Sequence, residues 1–182
     1  RIAKKIPIKR KKGITIIVKI IAETRYIHPS LCIFNCIVFY NIFVTYIIMN
    51  IKSLTIYCSS SNNLDPIYYE ISKQMIHVIE KFDYSIVYGG GQVGIMGVVA
   101  KTSMELGLHV TGVVPEFLAT KENMFKEINI LKIAKNMNQR KKILFELGDA
   151  FIAFPGGTGT IEEITEIISW KELGLHQKQI LF

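Results

Sequence analysis

Two kinds of hydrophobic pattern alternate along the chain from residue 53 onward. Short continuous apolar runs are typical of buried strands, and longer segments with apolar residues every three to four positions are typical of amphipathic helices. The runs predict strands at Ser53–Cys58, Ser85–Tyr88, His109–Val114, Ile128–Ile133, Ala150–Phe154 and Gln179–Phe182. The periodic segments predict a helix that begins at Pro66 and further helices at Val93–Leu106, Asn138–Leu147 and Ile161–Leu173.

The first of these helices has a well-marked start. Asp65 is a favourable N-cap residue, and Pro66 suits the first helical position because the N–H that proline lacks is not needed there. The apolar residues that recur near the helical period predict the face that packs on the core. These residues are Ile67, Ile71, Met75, Val78 and Ile79.

Strands that alternate with helices of about 10–15 residues predict an α/β fold, in which helices cover both faces of a parallel sheet. Ligands of such proteins bind beyond the carboxyl ends of the strands. Two glycine-rich turns, Gly89–Gly97 and Pro155–Thr160, follow predicted strands, so we expect one edge of the sheet to hold the site. The sequence stops within a predicted strand, and we expect a C-terminal portion to be missing.

Charge is distributed unevenly along the chain. Residues 1–48 contain nine of the 22 lysines and arginines but only one of the 15 acidic residues, Glu23. The rest of the chain is therefore nearly neutral, although the net charge of the whole sequence is +7. This distribution gives no electrostatic argument that the main part of the chain binds nucleic acid.

Residues 31–48 are apolar and uncharged, and three interpretations stay open for the first 48 residues. They could be an upstream extension of the reading frame, a membrane anchor, since about 20 apolar residues span a bilayer, or a functional folded segment. We expect this N-terminal extension, 1–48, to lie outside the fold. The domain is then expected to span residues 49–182, where capping signals and periodicity begin.

The cysteines and histidines argue against a disulfide framework and a metal site. Cys32, Cys36 and Cys58 cannot form a closed disulfide set, and we expect all three to be reduced. The four histidines form none of the usual metal-ligand patterns. We therefore expect a cytoplasmic protein without a bound metal.

The first glycine turn contains G-x-G-x-x-G. A nicotinamide-binding turn also requires an acidic residue about 20 positions later, and this chain has none at the end of the next predicted strand, so a dinucleotide is disfavoured. Two interpretations stay open. The backbone at Gly89, Gly90, Gly91 and Gly94 could contact a phosphate or a base, or these glycines only let a helix pack closely on a strand.

The second glycine turn is followed at once by a predicted amphipathic helix. Three glycines within Pro155–Thr160 let main-chain N–H groups converge on an anion, and the helix dipole adds to that attraction. The lysine of a triphosphate-binding P-loop is absent. Thr160 and Glu163 also match a capping box, in which the glutamate only bonds the helix backbone. A structural role for Glu163 therefore stays open beside a functional one.

A basic run, Asn136–Lys142, begins the helix before this turn. The planar guanidinium of Arg140 is suited to a phosphate, and Lys141 would add a point charge. The alternative is a solvated helix face, which is the commoner role of such a run.

Four segments together resemble one family. They are VYGGGQVGIMG (Val87–Gly97), the M-x-x-R-K pattern of Met137–Lys141, PGGTGTIEE (Pro155–Glu163) and ISWKELGLH (Ile168–His176). In this order they resemble the Lonely Guy family of cytokinin-activating nucleoside 5′-monophosphate phosphoribohydrolases, which are also labelled lysine decarboxylase-like. The resemblance implies a Rossmann-like fold and a homodimer with sites near the subunit interface. It also implies hydrolysis of an N-glycosidic bond, without a cofactor, to a free base and ribose 5-phosphate.

Matched by position, the resemblance implies that Arg140 and Glu163 are the catalytic pair. It also implies a set of substrate-binding residues: Glu122, Arg140, Lys141, Gly157, Thr158, Gly159, Thr160, Ile161, Glu162, Glu163 and Ser169. The chain departs from the family pattern at three places. Ser169 replaces the usual threonine, Ser59 replaces the glycine of C-G-S-S, and Asn138-Gln139 replaces His-Glu before the arginine.

The implied reaction suits these residue types. A carboxylate can stabilise the oxocarbenium charge that develops on the ribose and activate a water molecule. Arg140 would bind the phosphate or assist departure of the base. We expect hydrolysis of adenosine monophosphate and its N6-prenylated derivatives. The alternatives are a broader nucleotide 5′-monophosphate nucleosidase and a non-catalytic nucleotide or cofactor carrier; a decarboxylase is disfavoured because no lysine lies in a recognisable pyridoxal phosphate context.

Overall fold

The computed structural model describes residues 51–119 and 124–182. Contacts within the chain divide it into two units, Arg1–Ile48 and Met49–Phe182. The interpretations of residues 1–48 concern residues outside the described ranges, so they stay predictions. None of the helices in the described ranges is long and apolar enough to cross a membrane.

The six strands form one sheet in which every pair of neighbours is parallel. The strands are β1 (Ser53–Tyr57), β2 (Ser85–Tyr88), β3 (Val110–Pro115), β4 (Ile130–Ala134), β5 (Ala150–Ala153) and β6 (Gln179–Leu181). Their order across the sheet is β4-β3-β2-β1-β5-β6. The chain first builds one half of the sheet outward from β1 and then returns to the other side of it, so β1 and β5 flank the crevice where sheets of this type bind ligands.

Five helices connect the strands in the described ranges. They are α1 (Pro66–Glu80), α2 (Gly94–Glu105), α3 (Glu116–Ala119), α4 (Met137–Leu147) and α5 (Thr158–Glu172). One core cluster joins the sheet to α1 and α2 through residues such as Ile76 and Val99. A second cluster joins the opposite face to α4 and α5 through Leu144 and Ile164. The predicted α/β class, with helices on both faces of a parallel sheet, is therefore confirmed.

The start of α1 is confirmed, but its predicted core face is wrong at four of its five residues, since only Ile79 is buried. The Asp65 carboxylate accepts a hydrogen bond from the N–H of Ile67 at 3.0 Å. The buried residues of this helix are Ser72, Ile76 and Ile79. Ile67, Ile71, Met75 and Val78 are all exposed by between 38% and 53%. Apolar residues extend around more than half of α1, and periodicity alone cannot identify which part of so wide a face meets the sheet.

Two element boundaries differ in ways that affect the site. Helix α5 begins at Thr158, three residues before the prediction, so most of the second glycine turn forms its N-cap and first turn. Helix α4 begins at Met137, where the Asn136 side chain accepts a hydrogen bond from the N–H of Gln139 at 2.9 Å. Glycine and threonine have low helix propensity, and tertiary packing overrides it at the start of α5.

Candidate active site

Helices α4 and α5 bring Arg140 and Glu163 together on one face of the sheet. Both side chains are buried, with residue exposures of 6% each. The guanidinium Nη1 of Arg140 donates a hydrogen bond to Oε1 of Glu163, and the two groups form an ion pair. The predicted catalytic pair is therefore in direct contact, although its residues lie 23 positions apart in the sequence.

Arg140 is also fixed by the protein on its other sides. Its Nε donates to the carbonyl oxygen of Val113, near the end of β3, at 3.1 Å. Its Nη1 lies 3.8 Å from the sulfur of Met137. A guanidinium held by two hydrogen bonds and a sulfur contact in a buried place presents its charge to Glu163 in one orientation.

The ionisation of Glu163 is subject to two opposing influences. Burial raises the pKa of the carboxyl group, while the charge and the hydrogen bond of Arg140 lower it. Burial has the larger effect, so the pKa of Glu163 lies above its ordinary value. A carboxylate with a raised pKa is a stronger base, which suits it to take a proton from water.

The capping-box interpretation of Thr160 and Glu163 is wrong. The N-cap of α5 is Gly157, and the helix start has no side-chain capping hydrogen bond. Thr160 belongs to the first turn and packs against Gly156, where a Cβ would overlap its side chain. Glu163 lies beyond that turn and bonds Arg140 instead of the helix backbone. Its role in a site stays a prediction.

The first turn of α5 leaves its N–H groups open. The amides of Thr158, Gly159 and Thr160 bond to no group within the described residues, and the first helical hydrogen bond runs from Ile161 to Gly157. Residues 155–159 are exposed. An exposed helix start with free amides is a ready anion site, as the second glycine turn predicts.

At the start of α2, by contrast, two N–H groups are already hydrogen-bonded to other protein groups. The N–H of Gly94 donates to Oδ1 of Asn62 at 2.8 Å. The N–H of Met96 donates to the carbonyl of Ser59 at 3.1 Å. Neither amide is free for a phosphate. Of the two interpretations of the first glycine turn, these contacts favour close packing at Gly94.

The other glycines of that turn also lie in close contact with neighbours. Gly90 has a φ of +77°, and a Cβ at this position would overlap the side chain of Val114. Its carbonyl oxygen accepts a hydrogen bond from the N–H of Phe125 at 3.1 Å. Gly91 forms an isolated bridge with Met124. Gly89 faces the guanidinium of Arg140. Contact of Gly89, Gly90 or Gly91 with a base or phosphate stays a prediction.

The charge run at the start of α4 is divided between the interior and the solvent. The ammonium of Lys141 donates to Glu162 at 2.6 Å and to Glu166 at 3.1 Å, both on α5. Both hydrogen bonds raise the pKa of Lys141, and the bond to Glu162 has the larger effect. Lys142 is exposed and lies 3.8 Å from Glu146. A solvated helix face therefore describes Lys142 but not Arg140 or Lys141.

Two predicted substrate-binding residues are not brought to the pair. Ser169 is exposed and lies six positions after Glu163, almost two turns further along α5. Ile161 is 57% exposed at the surface of the same helix. Glu122 lies outside the described residues, so its role stays a prediction.

Sequence reasoning missed the residues that support the pair through the backbone or through space. The carbonyl of Val113, and the space beside Gly89 that the Arg140 guanidinium occupies, carry no chemical signature in a sequence. Cys58, at the carboxyl end of β1, is buried, and burial raises the pKa of its thiol. The described ranges contain no group of three or more His, Cys, Asp or Glu side chains placed to hold a metal ion.

Comparison with known proteins finds relatives in sequence and in fold. A family model described as possible lysine decarboxylase matches residues 96–182. The chain is 40% identical over 129 residues to the cytokinin riboside 5′-monophosphate phosphoribohydrolase LOG7 of Arabidopsis thaliana, a match that covers 71% of this chain and 59% of LOG7. It is 41% identical over 128 residues to the enzyme of the same name from Rhodococcoides fascians, covering 70% of this chain and 65% of that one. The chain thus spans about three fifths of the length of these relatives.

Solved structures with the same fold are more distant in sequence. The molybdenum cofactor binding protein of Rippkaea orientalis superposes with a TM-score of 0.58 at 18% identity, covering 71% of this chain and 76% of that one. The molybdenum cofactor carrier protein of Chlamydomonas reinhardtii gives 0.57 at 16% identity, with 70% and 74% covered. At this identity the likeness concerns the fold alone.

Fold and site define a Rossmann-like α/β protein with an open helix start beside a buried arginine–glutamate pair. The sequence relatives are curated phosphoribohydrolases, and over residues 96–182 the chain matches the family model, so the chain is similar to the Lonely Guy family.

Proposed function

We propose that the protein is an N-glycosyl hydrolase that cleaves nucleoside 5′-monophosphates to a free base and ribose 5-phosphate. Adenosine monophosphate and its N6-prenylated derivatives are the proposed substrates, as the names of the curated relatives suggest. The observation that carries this proposal is the buried contact of Arg140 with Glu163 next to the uncapped start of α5. The two features supply a charged catalytic pair and an anion site to one substrate.

In this proposal the 5′-phosphate binds the open amides of Thr158, Gly159 and Thr160. The positive end of the helix dipole favours the phosphate charge at this position. The bound phosphate is remote from the bond that breaks, so its binding energy is used to position the ribose. Lys141 is paired with two carboxylates, and it supports this helix start through Glu162.

Glu163 acts on the anomeric carbon of the positioned ribose. The bond between that carbon and the base nitrogen breaks, and its electron pair leaves with the base, which takes up a proton from solvent. The carboxylate stabilises the oxocarbenium charge and accepts a proton from water as the water oxygen bonds the anomeric carbon. The proton that Glu163 accepts from water is afterwards released to solvent, so one water molecule is consumed. Arg140 holds the carboxylate in place and favours its ionised form.

The finer properties of the protein belong to the same proposal. We propose a homodimer that acts in the cytoplasm and requires neither a metal nor a cofactor. Glu122 and Ser169 are proposed to contact substrate, as the family pattern implies. The competing functions are a nucleosidase of wider specificity and a carrier that binds a nucleotide without hydrolysing it.

The test is hydrolysis by the full chain and its Glu163→Gln variant. Glutamine keeps the shape and one acceptor oxygen but removes the charge, so base release should fall by about 10²–10⁴-fold while nucleotide binding persists. The measurement is chromatography of the base released from adenosine monophosphate and its isopentenyl derivative.

Glu172→Gln is the matched control, because Glu172 is a glutamate of the same helix that is exposed and far from the pair along α5. It should retain hydrolysis within a few-fold. Base release by Glu163→Gln at the wild-type rate would contradict the proposal. Nucleotide binding without base release by the wild-type chain would favour the carrier, and equal rates on other nucleotides would favour the broader nucleosidase.

A further inference from the structure

We infer that Gly89 is a positioning residue of the proposed site, where the absence of a side chain makes the seat in which the Arg140 guanidinium reaches Glu163. The part of this inference that concerns hydrolysis rests on the proposed function. The part that concerns geometry does not. It gives the first glycine of the G-x-G-x-x-G turn a role that neither nucleotide binding nor a tight turn requires.

The seat is defined by what a side chain at Gly89 would meet. A Cβ built at this position would lie 2.6 Å from Nη2 of Arg140 and 2.9 Å from Cε of Met96. Real Cβ contacts essentially never reach these distances, so one of the neighbours would have to move. Gly89 directly follows β2, which places the guanidinium over the carboxyl end of that strand.

Backbone conformation does not explain the glycine. The glycines with positive φ in the described residues are Gly90, Gly94, Gly107 and Gly174, so Gly89 has a backbone that any residue adopts. Only the space taken by the guanidinium and by Met96 excludes a methyl group here. The cost of Gly89→Ala is therefore a displacement of neighbours, without backbone strain.

Arg140 has little freedom to move aside. Its Nε is bonded to the carbonyl of Val113 at 3.1 Å, and its Nη1 is bonded to Glu163. A methyl group at position 89 would push Nη2 away from β2, and the planar guanidinium would have to rotate or shift as a unit. Such a movement changes the contact with Glu163 directly.

Gly91 provides a matched control two positions away. A Cβ at Gly91 would meet only the Met96 side chain, with its sulfur at 3.1 Å as the nearest atom. Methionine is flexible and adapts to such a contact at low cost. Gly91→Ala therefore tests the effect of an added methyl group in the same turn without touching Arg140.

The experiment compares Gly89→Ala, Gly91→Ala, Arg140→Gln and the double variant Gly89→Ala/Arg140→Gln in the full chain. One readout is kcat and KM for base release from adenosine monophosphate. The other is the pKa of the Glu163 carboxyl, measured by carbon NMR with Glu163→Gln to assign its signal. This second readout needs no activity, so it separates failure of the inference from failure of the proposed function.

Gly89→Ala should lower kcat by about 10²-fold, the size expected for a displacement of about 1 Å in a catalytic group. It should also raise the pKa of Glu163, because Arg140 holds that pKa down. Gly91→Ala should leave the pKa in place, because its added methyl group does not reach Arg140. In the Arg140→Gln background, Gly89→Ala should cause no further loss.

Three results would overturn the inference: an unchanged pKa and kcat in Gly89→Ala, equal effects of the two alanines on the pKa of Glu163, or a full additional loss in the double variant. If Gly89→Ala alone does not fold, the double variant should be as stable as Arg140→Gln alone, because the glutamine is shorter and leaves the seat empty. A double variant that fails to fold while Arg140→Gln folds would show that Gly89 serves packing unrelated to Arg140.

Discussion

The charge balance at Glu163 has consequences for stability as well as for catalysis. Because burial holds the pKa of this carboxyl above its unfolded value, the folded state binds its proton more tightly than the unfolded state does. The stabilising contribution of the protonated group is complete below the unfolded pKa and is lost as the pH rises through the folded pKa. Arg140 limits this loss by favouring the ionised form.

Removal of Arg140 should therefore destabilise the protein in a pH-dependent way. Arg140→Gln leaves a buried carboxylate without its partner, which typically costs about 3–5 kcal/mol. We expect a loss of this size in the free energy of unfolding at pH 8 and a much smaller one at pH 5, where Glu163 takes up a proton. Urea unfolding at the two pH values measures the difference. An equal loss at both would mean that Arg140 stabilises the fold by packing alone.

At this scale the sequence singled out Arg140 and Glu163, which lie in contact, but not what holds them. The pair was predicted from the resemblance of its two segments to the family motifs, and its catalytic role stays a prediction. The carbonyl of Val113 accepts from Arg140 across 27 positions, and any residue supplies a carbonyl. Such a contact depends on strand placement and has no sequence signal.

The start of α5 is the element on which the proposed substrate contact depends. Gly157 occupies the N-cap with φ −88° and ψ −160°, a conformation open to any residue, and a Cβ there would meet nothing within 4 Å. Serine, aspartate or asparagine would be favoured at an N-cap on stability grounds. Glycine at this position leaves the amides of the first turn uncovered.

Gly157→Asp should therefore weaken binding of the nucleotide and stabilise the folded protein. The carboxylate would accept a hydrogen bond from the first turn and raise the free energy of unfolding by roughly a few tenths of a kcal/mol. It would also cover the anion site and repel phosphate, so KM for adenosine monophosphate should rise at least tenfold. Thermal unfolding and steady-state kinetics measure the two effects.

Gly157→Ala is the control for this pair of effects, since it adds a side chain without a capping group. It should raise KM far less than the aspartate does and add no stability, since alanine is a poorer N-cap residue than glycine. An aspartate variant that is more stable and keeps the wild-type KM would place the phosphate elsewhere.

Elements were predicted more reliably from the sequence than their orientations. The strands β1, β2 and β5 were placed within one residue, because continuous apolar runs end sharply at polar or glycine residues. The α1 face was wrong by about a quarter of a turn or more, because Tyr68, Ile71 and Met75 extend the apolar surface beyond the part that meets the sheet. Helix amphipathicity identifies a side only when the opposite side is polar.

At the scale of the whole molecule, the same helix presents an unusual outer surface. Its exposed apolar residues recur at alternating intervals of three and four positions, the spacing by which one helix packs along another. We call them the α1 stripe: Tyr68, Ile71, Met75, Val78 and, just after the helix, Phe82. A continuous apolar surface of this kind is typical of an interaction site.

We expect the α1 stripe to contribute to self-association of the chain. Met75→Lys together with Val78→Lys should lower the association measured by analytical ultracentrifugation, because two charges would be buried in an apolar contact. Circular dichroism should be unchanged, since both residues are exposed in the fold. Ile133→Lys is the control, because Ile133 is 49% exposed but lies on β4. Loss of association in the control alone would assign the contact to the sheet edge.

The open start of α5 also makes the folded state sensitive to the composition of the solution. A helix whose first turn is completed by an anion gains stability whenever that anion binds, by about 2.7 kcal/mol at a ligand concentration 100 times the dissociation constant. Under the proposed function, the nucleotide is then a structural ligand as well as the substrate. Inorganic phosphate or sulfate in a buffer would stabilise this protein and, by occupying the same amides, inhibit it.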